Sequence, residues 1–390
     1  YNGYNITVDL PELTYAYVSN ATINDVNVNS KRLIINLQGV QTNQLKTIQI
    51  NSTSPVSVIN LGSLNGAVVK NLYFRINKKV TINLYNVNLE GDANKEVLYV
   101  GEAAVLNVLG TNRLVGGSGG VPAAAAHFTA LTLQTNSSGI LTLYGGNGSD
   151  GLDGLSGSAG ANGSDSNEAC GQGGNGSNGV SGNKGDNGVA GASGIIMTSL
   201  TCQGKGSLNI YGGNGGKGGT GGAGGNGGKG GAGGGAGFLN KSGTGGKGGA
   251  GGKGGNGGAG GRGGVPYTVI SGISAGSVKI SCYVGASGSS GNGGKGGAGG
   301  QGGLGGQNTF IGSDGNGGAG GNGGDGGDSG SVTRVTFTLY NGSVISNSAP
   351  SLGLTGVGGD GGKGGLGGHN NTDLKGANGT AGSRGNKGSV

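Results

Sequence analysis

Glycine in the second half of this chain recurs in runs of the form Gly-Gly-X, and the runs come in pairs. Gly145–Ser164 and Gly171–Gly194 flank Asp165–Cys170, and Gly212–Gly235 and Gly243–Gly264 flank Phe238–Lys241. Gly291–Gly306 and Gly315–Gly330 flank Gln307–Ile311, and Gly356–Gly368 and Gly376–Gly388 flank His369–Thr372. With so few side chains to bury, such runs either stay disordered or pack backbone against backbone. Flexible linkers need neither paired lengths nor strict triplets. The pairs therefore read as four up-and-down hairpins of extended helix with short turns at their tips.

A slower repeat runs through the rest. Ile35-Asn36-Leu37, Ile59-Asn60-Leu61, Ile82-Asn83-Leu84 and Leu106-Asn107-Val108 follow one another at 24, 23 and 24 residues. The pattern returns at Leu141–Leu143, Leu208–Ile210, Val278–Ile280 and Phe337–Leu339, with Tyr144, Tyr211 and Tyr340 after three of them. Subtracting the glycine tracts removes most of the extra spacing. Short runs of Val, Ile, Leu, Thr and Tyr punctuated by Asn and Gly, Val68–Ile76 and Val80–Leu89 among them, read as strands. A coil of 23–24 residues suits a β-solenoid, whose coils bury inward side chains against their neighbours. An antiparallel β-sandwich is the second expectation. No α-helix is expected, since Ala123–Ala126 is short and follows Pro122. The fold class is thus all-β: a spine in residues 1–140, and short strands interleaved with four glycine hairpins in residues 141–390.

Collagen is excluded, because 5 prolines among 390 residues cannot supply its X and Y positions. A polyproline-II helix still explains the triplet. It has three residues per turn, so glycine on two of three edges admits close neighbours on two sides while X points outward. Backbone N–H groups then bond adjacent carbonyls, with Cα–H···O contacts adding a weaker term. Ordering glycine costs about 1–2 kcal/mol per residue or more, which only a bundle anchored at both ends of each hairpin can offset.

The run Gly212-Gly213-Asn214-Gly215-Gly216-Lys217-Gly218-Gly219 resembles the glycine-rich polyproline-II bundles of snow-flea-type antifreeze proteins and phage tail-fibre tip adhesins. The resemblance spans about residues 145–390 and implies a compact bundle of extended helices. It implies no single function, since those families protect against freezing and bind receptors respectively. The N-terminal part looks like a β-solenoid surface protein.

The net charge of +7 is spread singly over X positions such as Lys217, Lys229, Lys247, Lys253 and Arg262. Nucleic-acid binders cluster basic residues among stacking aromatics, so no nucleic-acid partner is expected. No apolar stretch approaches the length of a membrane span. The start at Tyr1 reads as a processed, secreted terminus, and Asn-x-Ser/Thr sequons stand at Asn5, Asn20, Asn51, Asn136, Asn147, Asn162, Asn175, Asn240, Asn341, Asn370 and Asn378. Of three cysteines, Cys170 and Cys202 form the closer pair and are the disulfide candidates, leaving Cys282. Gly145–Asp153 matches a calcium nonapeptide without a full tandem copy, making Asp150 and Asp153 candidate ligands. No cofactor is expected. Catalysis is not expected either: His127 and His369 lack triad partners, and Glu96 with Glu102 would have to converge on a groove. Phe238, Leu239, Phe310 and Ile311 place apolar side chains at hairpin tips.

These features imply an extracellular structural protein, the repeating subunit of a filament or surface layer, with glycosylation at some sequons. Its partner is then another copy, joined by strand addition through Tyr4–Ser19. The alternative is an adhesin that binds a receptor or glycan through its hairpin tips.

Overall fold

The computed structural model describes residues 6–9, 16–19, 26–29, 32–36, 46–50, 57–62, 68–235, 242–274, 276–305, 317–330, 339–340, 345–348, 354–368 and 376–389. Its strands in chain order are β1 (Ile6–Asp9), β2 (Ala16–Ser19), β3 (Val26–Asn29), β4 (Arg32–Asn36), β5 (Lys46–Ile50), β6 (Ser57–Gly62) and β7 (Val68–Lys70). Next come β8 (Leu72–Ile76), β9 (Val80–Tyr85), β10 (Asn88–Glu90), β11 (Leu98–Leu109), β12 (Thr111–Val115) and β13 (Ala126–Thr135). The last are β14 (Ile140–Tyr144), β15 (Ile195–Gly204), β16 (Ser207–Tyr211), β17 (Tyr267–Ser274), β18 (Lys279–Tyr283), β19 (Leu339–Tyr340) and β20 (Ile345–Ser348). No α-helix occurs among the described residues.

The strands form two parallel sheets. In the larger, β1-β3-β5-β8 and β2-β4-β6-β9 run as two tracks that both join the long β11, which continues through β13, β15 and β17 to β19. The smaller runs β7-β10-β12-β14-β16-β18-β20. β1 and β2, within the segment expected to be donated to a neighbour, pair with β3 and β4 of their own chain. Alternate residues point inward, as period-2 strands require. Phe74, Ile82, Leu106, Phe128, Leu133, Leu143 and Ile210 make one continuous core with their neighbours. Polar residues are also carried inside: buried Asn112 accepts from Val87 N–H at 2.9 Å and donates to the Leu109 carbonyl.

Two sequence expectations need correction. Val68–Ile76 and Val80–Leu89 are each two strands, broken at Asn71 (φ 60°) and Asn86 (φ 52°), where asparagine tolerates the left-handed region that turns the chain between faces. The triplet series also merges two sheets. Ile59, Ile82 and Leu106 do share a register, but Leu141, Leu208 and Ile280 belong to the smaller sheet. Ile35 pairs with Leu61 rather than Ile59, because a shift of two keeps every side chain on its own face and leaves the pattern unchanged.

Each glycine excursion leaves at the same corner, after a strand of the smaller sheet, and the first three return into the larger one. The earlier connections there are short (residues 91–97 and 116–125), and the later ones carry the hairpins. Eight extended runs are described: 145–165, 171–194, 212–235, 242–264, 284–305, 317–330, 354–368 and 376–389. The odd-numbered runs lead outward and form one layer; the even-numbered ones return and form a second.

One hydrogen-bond pattern joins them. In the triplet Gly221-Gly222-Ala223, position 1 donates to the third-position carbonyl two runs on, Gly221 N–H to Asn292. Position 2 donates to the preceding run, Gly222 N–H to Asn183. The second type links all eight runs in one zigzag: Val180 to Ser158, Gly225 to Val180, Gly252 to Gly225, Gly297 to Gly252, Gly321 to Gly297, Gly362 to Gly321 and Gly382 to Gly362.

The same geometry says where glycine is obligatory. A Cβ on the position-1 glycine would strike a carbonyl of the next run, as Gly221 meets Gly255. A Cβ at position 2 would strike a carbonyl two runs back, as Gly222 meets Leu155. Neither needs a left-handed backbone, since no run glycine among the described residues has positive φ. Closeness is what selects glycine here. Runs one and two have no run two places back, and their position 2 carries side chains (Leu152, Leu155, Val180, Asn183). Run eight has no successor among the described residues, and its position 1 carries Ala381, Arg384 and Lys387. The expectation of two glycines per triplet thus holds through the middles of runs three to seven, with Ser242, Ser287, Ser290, Ser329 and Thr355 at position 1 near run ends. It fails along the outer runs for this reason.

Candidate functional site

The third position of each triplet forms the broad faces of the bundle, and its side chains are not mere decoration. Its N–H has no backbone acceptor within the pattern, and where Asn, Asp or Ser stands two runs back that side chain supplies one. Asn147 Oδ1 accepts from Asn214 N–H at 2.8 Å, and Asn214 Oδ1 from Ala286 N–H at 2.9 Å. Asn256 accepts from Asp325, and Asp325 from Asn386, at 3.1 and 2.8 Å. Asn and Asp fill these positions because each side chain reaches across to the next run of its layer. At the outer runs, side chains replace missing runs. Ser177 Oγ accepts from Ala161 N–H at 2.6 Å, and Asn378 Oδ1 from Gly367 N–H at 2.9 Å.

Asp150 and Asp153, the candidate calcium ligands, stand in this ladder, accepting from Lys217 and Thr220 N–H, both at 2.7 Å. Among the described residues no group of three or more His, Cys, Asp or Glu side chains is placed to hold a metal ion. The Thr220 N–H lowers the Asp153 pKa from its ordinary 3.8, and the Ser389 hydroxyl and N–H lower that of Asp328. A lowered folded-state value stabilises the fold above the unfolded pKa, and that contribution is lost as pH falls through the folded value. Thermal stability should therefore hold from pH 7 to 5 and fall below pH 3.8. The fall should be smaller in D153N/D328N, as a melting series over pH would show.

The sequons Asn147, Asn162 and Asn175 are exposed ladder residues, Asn136 lies in the β13–β14 turn, and Asn378 is on run eight. Asn5, Asn20, Asn51, Asn240, Asn341 and Asn370 lie outside the described residues, as do Phe238, Leu239, Phe310, Ile311 and His369. All three cysteines are free thiols, so the expected Cys170–Cys202 disulfide is not formed. Cys170 sits at the tip of the first hairpin, and the whole second run separates it from Cys202 in β15. Burial pushes the Cys202 and Cys282 thiols up to about 12. Alkylation of the native chain at pH 8 should label Cys170 alone, and denaturant should expose all three, which mass spectrometry counts.

Glu96 and Glu102 are engaged separately. Glu102 accepts from Lys79 N–H at 3.1 Å, while burial and then the Glu96 carboxylate push the Tyr73 hydroxyl pKa up. His127 meets Tyr99 edge-on at 5.1 Å.

Sequence reading missed one cluster. Tyr144, Tyr211 and Tyr283 occupy one register position on β14, β16 and β18, and their rings stack at 4.5 and 4.4 Å. Arg113 on β12 lies 5.1 Å from the Tyr144 ring centroid. Arg113, Tyr144 and Tyr211, with Ser118, Asn147 and Asn214, line a cleft of about 300 Å³ where the hairpins leave the spine. The tyrosines after Leu141-Thr142-Leu143 and Leu208-Asn209-Ile210 were its signal, while Tyr283 follows Ile280-Ser281-Cys282.

No protein-family model matches the chain, and no curated protein matches it. A solved structure of the nine-polyproline-type-II-helix springtail antifreeze protein from Granisotoma rainieri is similar at 22% identity, covering 59% of this chain and 94% of that one, with a TM-score of 0.10. No helix among the described residues is long and apolar enough to cross a membrane.

Proposed function

We propose that the chain is an extracellular structural protein: a β-solenoid spine carrying a bundle of eight polyproline-II helices, assembled into filaments or a surface layer. The zigzag of N–H···O bonds from Ser158 to Gly382 carries this reading, since it ties every hairpin to its neighbours as a rigid object. In-register parallel ladders continue the same rigidity through the spine. A three-residue repeat, negative φ and outward third positions fit polyproline II. Because β1 and β2 are paired on one side, these two strands offer a neighbour an open strand edge rather than a loose strand.

Electron microscopy of the purified full-length chain tests the reading. Regular filaments or sheets with a repeating subunit are expected, and discrete monomers at high concentration would overturn it. The cleft beside Arg113 and the tyrosine stack favours a second reading, an adhesin for a glycan or receptor. Glycan-array binding that is lost in R113A, with assembly unchanged, would select it.

A further inference from the structure

The exposed large apolar residues of the bundle are unevenly placed. Apart from Leu304, those among the described residues sit on runs one, two and seven, near the two ends of the stack. At the first end the side chains of position 2 on runs one and two form adjacent antiparallel rows. The bonds Asp186 to Leu152, Asn183 to Leu155 and Val180 to Ser158 set them side by side. Leu152 and Leu155 are each 74% exposed and Val180 is 55% exposed, with the exposed Asp186 carboxylate beside them. Asp150 and Asp153 stand at the adjoining third positions of run one, their side chains bonded to run three.

At the other end, the third positions of run seven face the first positions of run eight. Asp360 pairs with Arg384 at 3.6 Å. The bonds Gly385 to Gly359 and Gly379 to Gly365 align the rest, so Val357, Lys363 and Leu366 share this face with Ala381 and Lys387. Leu366 is 64% exposed. One end is thus apolar and net acidic, with Asp150, Asp153 and Asp186 against Lys184, and the other apolar and net basic, with Lys363, Arg384 and Lys387 against Asp360.

Neither end can be extended by simply adding another run. Leu152 and Leu155 occupy the place where a preceding run would approach, and Arg384 and Lys387 occupy that of a following one. As with charged edge strands, backbone pairing is blocked and only side-chain contact remains. We propose that these two faces dock on each other between copies of this chain, the Leu152/Leu155/Asp186 face of one against the Leu366/Arg384/Lys387 face of the next. The partner is a second copy because its own opposite end supplies the matching charge and a matching apolar strip. The contact is heterologous, so it propagates into an open filament instead of closing a dimer. The coils of β1–β12 precede the first hairpin along the spine and project past the acidic end. A half-turn between successive copies places the partner's spine on the opposite side, clear of them.

This inference rests on the filament reading and locates its contact. The test is filament yield by electron microscopy and sedimentation for the full-length wild type, R384E/K387E, L152E/L155E, the D186K/R384E/K387E combination and a chain lacking residues 1–19. All the substituted positions are exposed, and unchanged circular dichroism and melting confirm folding. Wild-type filaments are expected, with the critical concentration raised about tenfold or more in R384E/K387E and in L152E/L155E. Adding D186K to R384E/K387E should restore assembly by re-pairing the charges. Wild-type filaments with both double variants assembling normally would overturn the docking while leaving the filament reading intact. So would loss only in the chain lacking residues 1–19, which would put the contact at the β1/β2 edge. Loss in R384E/K387E that D186K does not restore would overturn the pairing with the Asp186 face. A wild type that never assembles overturns the filament reading, and this inference with it.

Discussion

Replacing Gly222 by alanine should destabilise the bundle by about 3 kcal/mol or more, the upper end of overpacking costs. The added methyl would lie on the carbonyl oxygen of Leu155, two runs back. A side chain in that position could rotate away, whereas this oxygen belongs to a backbone held by its own neighbours. Relief requires run three to separate from run one, which strains the Gly222-to-Asn183 bond and others of the zigzag. Replacing the adjacent third-position residue, A223K, should be nearly silent, because that residue is exposed and lysine already stands there at Lys217 and Lys229. Asn183, which holds position 2 of run two, should accept alanine without a clash, since no run lies two places back. Chemical denaturation of G222A, A223K and N183A would show the contrast. Equal stability for all three would mean that the runs do not pack as described.

A larger loss should follow from deleting one residue. Without Lys253, every later residue of run four moves one position in the triplet. Asn256, Ala259 and Arg262 then occupy position 2, where Gly255, Gly258 and Gly261 meet the carbonyls of Asn183, Asp186 and Val189. Three clashes at about 1–3 kcal/mol each exceed what one hairpin can absorb, so the hairpin should detach. Removing a whole triplet from each arm, Gly224–Asn226 with Gly251–Lys253, preserves the phase and only shortens the hairpin. That chain should melt close to the wild type. The comparison parallels register in a β-sheet, where a shift by one is ruinous and a shift by a full period is silent.

Much of this was legible in the sequence because glycine reports steric closeness directly. The pairing of runs into hairpins, their anchoring between strands and the outward third position all follow from the triplets. The finer rule was also written there. Gly154-Leu155-Ser156 and Gly382-Ser383-Arg384 carry one glycine where Gly221-Gly222-Ala223 carries two, but the difference has meaning only once the neighbours of each run are known. The Asn and Asp residues at third positions read as solvated surface because their acceptors serve N–H groups some 60 to 70 residues away, as Asp153 serves Thr220 at a separation of 67 and Asp325 serves Asn386 at 61. The sheet assignment of the strand triplets was hidden for a different reason. Alternation with period two names the buried face but leaves open both the partner and a slip of two. The tyrosine stack needed the same missing knowledge, that Tyr144, Tyr211 and Tyr283 stand in one register.

The central claim is that the glycine runs form one hydrogen-bonded bundle anchored on a parallel β spine. Native-state hydrogen exchange, resolved by peptide across the full-length chain, tests it most directly. The claim predicts amides of residues 212–235 and 242–264 protected comparably to the core strands β11 and β13, with runs one and eight exchanging faster at the bundle edges. Exchange of the interior runs within seconds, at the rate of an unstructured glycine-rich chain, would contradict it.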